Sequence, residues 1–146
     1  FRHDDGQNAE DLPQAEVVLL GVSRTMKTPT MLYLAYRGWF AANVPIIPGV
    51  DLPEPLLRVP RERVVCLHMA PGRLLELRRA RADGAAIPAE PYASPEQIHK
   101  ELLHAQQLCR QHRWRTIETT SRSVEEVGRE IILLLPDREV ERDPSW

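Results

Sequence analysis

The chain has 146 residues, enough for one domain with a substantial apolar core and no need of a structural metal. Its formal net charge of −2 argues against a nucleic-acid binder, although a local basic site remains compatible with it. Every apolar run falls short of the ~20 residues that span a bilayer, so no membrane partner is expected.

The first residues, Phe1 to Gly6, carry no signal-peptide pattern and no initiating methionine, and read as the start of a piece of a longer protein. Residues 1–10 form a segment around His3-Asp4-Asp5-Gly6, residues 11–136 form the main domain, and residues 137–146 form a charged tail. "AEVVLLG" predicts a buried strand that ends at Gly21. Residues 28–39 predict a helix, with Met31, Leu34 and Ala35 at helical spacing. "AANVPIIP" predicts a second strand whose prolines place it at a sheet edge. "GVDLPEPLLRVPRE" reads as an excursion, and "RVVCLHM" as a third strand. A helix follows over "PGRLLELRRARA", with the basic run "RRARA" read as a solvated face, then a loop over "DGAAIPAEPY".

Ser94 predicts the N-cap of a helix reaching about His112, with Ile98, Leu102, Ala105 and Cys109 on one face. "WRTIETT" predicts a fourth strand, and Ser123 with Glu126 predicts a capping box opening the last helix. Trp39 and Trp114 read as packing residues. Cys66 and Cys109 have neither metal-ligand spacing nor a disulfide framework, and read as separate buried thiols in a reducing cytoplasm. Strands alternating with helices predict an α/β fold: a parallel sheet flanked by helices, with the ligand beyond the carboxyl ends of the strands.

The first strand-to-helix turn, "GVSRTMKT", has the parts of a phosphate-binding loop. Gly21 opens it, Lys27 follows at the expected distance, and Thr28 supplies a hydroxyl for Mg²⁺. Met26 stands where a second glycine is usual and must take a backbone geometry that glycine normally supplies. Val22, Ser23, Arg24, Thr25 and Met26 complete the loop whose backbone would cradle phosphate oxygens. Neither following strand ends in an aspartate that would hold a metal. The available carboxylates are Asp4 and Asp5, as metal ligand or general base, or else as part of a polar turn. "TTSRSVEE" offers hydroxyls and Arg122 as a second phosphate contact, or simply a strand end and a capped helix.

"HDDG", "VVLLGVSRTMKTPTMLYLAYRG", "AANVPIIPGVDLP", "PGRLLELRRAR" and "TTSRSVEE" occur in the order seen in the pyruvate, phosphate dikinase and phosphoenolpyruvate synthase regulatory proteins. The resemblance runs over residues 3–136 and matches the C-terminal, nucleotide-binding half of that family. It implies a P-loop kinase-like fold and a cytoplasmic, bifunctional enzyme. Such enzymes use ADP to phosphorylate a threonine of a target enzyme and reverse this with inorganic phosphate, releasing pyrophosphate. The implied partner is pyruvate, phosphate dikinase, on the similarity of "YRGWFAANVPIIPGVDLPEPL" to that branch, with the synthase as the alternative target. The implied catalytic residues are Lys27 with Asp5 or Asp4, the implied ADP site is Gly21 to Thr28, and Thr28 would touch Mg²⁺. A homodimer is left open. The sequence departs from the family at Met26, where serine or glycine is common, and at Ala70, where aspartate or asparagine is common. A small-molecule P-loop kinase and a nucleotide-binding module without chemistry are the competing readings.

Overall fold

The computed structural model describes residues 9–85 and 92–136. Four parallel strands make one sheet in the order β2-β1-β3-β4. They are β1 (Val17–Gly21), β2 (Ala41–Pro45), β3 (Val64–His68) and β4 (Arg115–Glu118), and the helices are α1 (Lys27–Tyr36), α2 (Pro71–Ala85), α3 (Pro95–Gln111) and α4 (Val124–Leu134). β2 pairs only with β1, in a register that sets Gly21 opposite Pro45. The proline's missing N–H is tolerated there because an edge strand needs no second partner. β1 lies inside the sheet, between β2 and β3. Its five residues, all buried, explain why it reads as an unbroken apolar run.

Alternation along β1 divides the core. Val17 and Leu19 pack with Met31 and Leu34 of α1 and with Val127 and Ile131 of α4. Val18 and Leu20 face the opposite layer, where Leu12, Leu56, Cys109 and Trp114 cover the sheet. A third cluster, Val22, Met69, Leu74, Ile98 and Leu102, closes the space between the carboxyl end of the sheet and the α2–α3 pair. Helices on both faces of a parallel sheet give the predicted α/β architecture. Trp39 and Trp114 pack as expected: Trp114 is buried, and Trp39 lies against the α1–α4 cluster.

Three details differ from the sequence reading. The excursion after β2 is ordered into short 3-10 turns at Glu54–Arg58 and Arg61–Arg63, which carry Leu56 into the core. Helix α2 extends through Asp83-Gly84-Ala85, read as loop; one glycine near a helix end costs only about 1 kcal/mol. Cys66 and Cys109 are joined in a disulfide rather than standing as separate thiols. Cys66 lies on the sheet face that α3 covers, and Cys109 lies on the buried stripe of α3, which brings their Cα atoms to 6.7 Å. Spacing in the chain carried no hint of that meeting.

Candidate functional site

The loop between β1 and α1 begins with a close approach. A Cβ added at Gly21 would lie 2.6 Å from Thr25 Oγ1 and 3.0 Å from the backbone oxygen of Leu67, so only glycine fits without movement. Beyond it the backbone is wound tightly. Arg24 and Met26 both adopt left-handed conformations, at φ 72° and 75°, while the residues beside them keep negative φ. Alternation of this kind is the backbone pattern that can turn successive amides toward one side and make an anion-binding concavity. Met26 therefore takes the geometry expected of glycine, at a cost of about 1–2 kcal/mol for a residue with a Cβ. Its side chain packs against two of the core clusters, which offsets part of that cost.

The loop's carbonyls are tied down by side chains. Val22 O accepts from Thr25 Oγ1 at 2.7 Å and from Lys27 Nζ at 3.0 Å. Lys27 is only 6% exposed, so its ammonium is held at the inner wall of the loop. Ser23 O accepts from Arg78 Nε at 3.3 Å and Nη2 at 3.2 Å. Arg78 comes from α2, is buried, and forms a two-pronged pair with Glu101 of α3.

Arg78 belongs to the run "RRARA", and the solvated-face reading fails for it. The signal was present: Leu74, Arg78 and Ala82 recur every fourth residue, and all three are buried. A stretch scored as basic thus contained one residue on the core face.

Above the loop lies a cleft of about 650 Å³ at the carboxyl end of the sheet. Ser23, Arg24, Met26, Lys27 and Thr28 line one side. Thr119, Ser121 and Arg122, from the turn after β4, line another, and Ile46, Ile47, Met69 and Leu77 give an apolar wall. Strand order reverses between β1 and β3, and ligands of open α/β sheets bind at such a switch point. The cleft has the volume of a small-molecule site, larger than a single phosphate needs. Gly21 and Val22 lie buried beneath it, and Thr25 is buried within the loop.

The second turn is arranged differently. Thr120 Oγ1 accepts from Ala70 N at 2.8 Å and also bonds the Glu118 carboxylate. Arg122 donates to Glu118 O at 3.2 Å and pairs with Glu130 at 2.6 Å. Ser123 and Glu126 form the predicted capping box, each side chain bonding the other's backbone N–H at 3.1 Å. The Glu126 carboxyl is held below its ordinary range, first by the Ser123 backbone N–H and then by the Ser123 hydroxyl. Arg122 thus faces the cleft while engaged with its own helix. His68, at the end of β3, lies 4.0 Å from Glu118.

Asp4 and Asp5, the proposed base and metal ligand, lie outside the described residues. Among the described residues no three His, Cys, Asp or Glu side chains converge as a metal cage. Thr28 lines the cleft beside Lys27. None of the described helices is long and apolar enough to cross a membrane.

Fold and site together define an α/β protein with a cleft above the tight, glycine-initiated loop that follows its first strand. Comparison with known proteins is more specific: residues 1–132 match the model of the kinase/pyrophosphorylase family, and the chain belongs to that family. A protein of Nitrobacter winogradskyi is 44% identical over 98% of this chain and 52% of its own length. Another from Rhodopseudomonas palustris is 45% identical over 96% of this chain and 51% of its own. A third, from Chelativorans, is 45% identical over 100% of this chain and 52% of its own. All three bear the name "Putative pyruvate, phosphate dikinase regulatory protein". The chain spans about half the length of the curated relatives it matches.

Proposed function

We propose that this chain carries the nucleotide site of a bifunctional, ADP-dependent serine/threonine kinase and phosphate-dependent phosphorylase acting on pyruvate, phosphate dikinase. The observation that carries the reading is the loop from Gly21 to Thr28, with Lys27 at its inner wall and the cleft above it. Family membership and the relatives' names support the kinase class and the target.

In the forward direction the target threonine's oxygen bonds the β-phosphorus of ADP. The bond from that phosphorus to the bridging oxygen breaks, AMP leaves, and the hydroxyl proton passes to a carboxylate, Asp5 or Asp4. In reverse, inorganic phosphate attacks the phosphothreonine, and pyrophosphate leaves with the threonine regenerated. Phosphoryl transfer asks a protein mainly for position and charge stabilisation. The loop amides would hold the phosphates and Lys27 would neutralise the transferring group. Arg24, exposed at the cleft, would bind the incoming phosphate in its planar fork. Mg²⁺, bound through Thr28 and phosphate oxygens, would supply charge neutralisation. The apolar wall at Ile46, Ile47 and Met69 suits the nucleoside.

The deciding experiment is calorimetric titration of wild type and Lys27→Ala with ADP and with ATP, followed by incubation with the dikinase and ADP. Preferential ADP binding lost in the variant, with phosphorylation of a dikinase threonine, is the expected result. ATP preference without dikinase phosphorylation would instead favour a small-molecule kinase. Binding with no turnover in the full-length protein would leave a nucleotide-sensing module.

A further inference from the structure

We infer that Arg78 is a positioning residue for the phosphate loop, a clamp whose geometry sets the shape that receives the nucleotide. The inference deepens the proposed nucleotide site and rests on it for its ligand, although the clamp itself is defined by contacts alone.

A guanidinium has five N–H donors, and here every one has an acceptor. Nε and Nη2 donate to Ser23 O at 3.3 and 3.2 Å. Nη1 donates to Tyr92 O at 3.0 Å and to Glu101 Oε2 at 3.2 Å, and Nη2 also donates to Glu101 Oε1 at 2.7 Å. The Tyr92 ring lies against the guanidinium, 5.0 Å from ring centre to the guanidinium carbon. With its donors engaged and its surface 1% exposed, Arg78 is placed to hold protein rather than substrate.

What it holds is the peptide plane between Ser23 and Arg24. A carbonyl oxygen turned into the cleft would repel phosphate. The paired donors of Arg78 keep Ser23 O on the protein side, as Thr25 and Lys27 do for Val22 O. Arg24 then enters its left-handed conformation from a fixed plane. Glu101 fixes the fork in turn, and Gln97 Nε2 steadies Glu101 at 3.2 Å. Lysine cannot replace this arrangement, because its three donors spread from one nitrogen rather than lying in a planar fork.

The test uses the full-length protein with three changes: Arg78→Lys, Arg78→Met, and the double variant Arg78→Met with Glu101→Leu. The double variant removes the buried Arg78 charge together with the partly buried carboxylate of Glu101 that pairs with it, which restores stability where a single change would strand one of them. Readouts are thermal unfolding, amide hydrogen exchange over residues 22–27 without nucleotide, and ADP affinity. The clamp predicts that the double variant unfolds at nearly the wild-type temperature while its loop amides exchange at least ten-fold faster. It also predicts ADP affinity at least ten-fold weaker, and no rescue by lysine. A stable double variant with wild-type loop exchange and wild-type ADP affinity would overturn the proposal and leave Arg78 as a packing residue. Wild-type protein that fails to bind ADP would refute the nucleotide reading instead, and the exchange data would still decide the clamp.

Discussion

Two turns of this molecule are built from nearly the same vocabulary. Residues 21–28 and 118–123 each join the carboxyl end of a strand to a helix, each contains hydroxyls and an arginine, and each has a non-glycine residue at positive φ. They resolve the helix N-terminus in opposite ways. Helix α4 satisfies itself: Ser123 and Glu126 cap each other, and its first turn carries Glu125 and Glu126. Helix α1 has Met26 at its N-cap, with no side-chain cap bond and no acidic residue in its first turn. The positive end of α4 is already answered by its own carboxylates, whereas that of α1 is met by no negative side chain in its first turn. Residue composition alone would have scored both turns as phosphate sites. The capping pattern separates them.

The comparison breaks most sharply at Lys27. Lys27→Ala should lower phosphoryl transfer by about 10²–10³-fold, the range for removing one group that stabilises developing charge, while removing Arg122 should cost less than ten-fold. Steady-state rates of dikinase phosphorylation check both, and equal losses would erase the distinction between the turns. Next comes Gly21→Ala. Its new Cβ meets Thr25 Oγ1 and a backbone oxygen of β3, so the loop or the strand must shift. A loss of about 1–3 kcal/mol is expected from overpacking, read from denaturant unfolding.

Met26→Gly sharpens the comparison at smaller scale. Glycine relieves the left-handed strain but adds unfolded-state freedom and gives up packing, so stability should move by less than about 1 kcal/mol. ADP affinity should stay within about three-fold if Met26 serves only as backbone. The smallest effect belongs to the self-capped turn. Because Glu126 is held below its ordinary value of 4.5, its contribution is present above that value and fades as pH falls through the lower folded-state value. Unfolding midpoints of wild type and Glu126→Gln should therefore differ at neutral pH and converge in acid.

Much of this architecture was legible because it is local. The buried run of β1, the proline edge of β2, the Ser94 cap and the Ser123–Glu126 box are each written within a few residues. The tight turn after β1 was legible for the same reason, including the glycine-type backbone geometry demanded of Met26, which the structure gives as left-handed. What escaped depends on contacts between distant segments. Arg78 reaches Ser23 across 55 positions and Glu101 across 23, and Cys66 meets Cys109 across 43. A charged residue on a buried stripe was the one local trace of the clamp, and the composition of its neighbours concealed it. The pairing of the cysteines left no trace, since each occupies a position that an ordinary buried thiol would fill equally well.

That disulfide also changes the chain's topology as a polymer. With Cys66 and Cys109 joined, the polypeptide between them is a closed ring that contains α2 and most of α3, and with them both Arg78 and Glu101, while Ser23 stands outside it. A single backbone cut anywhere within the ring leaves one covalent molecule. The two fragments would migrate together on a denaturing gel until a thiol is added, and separate afterwards.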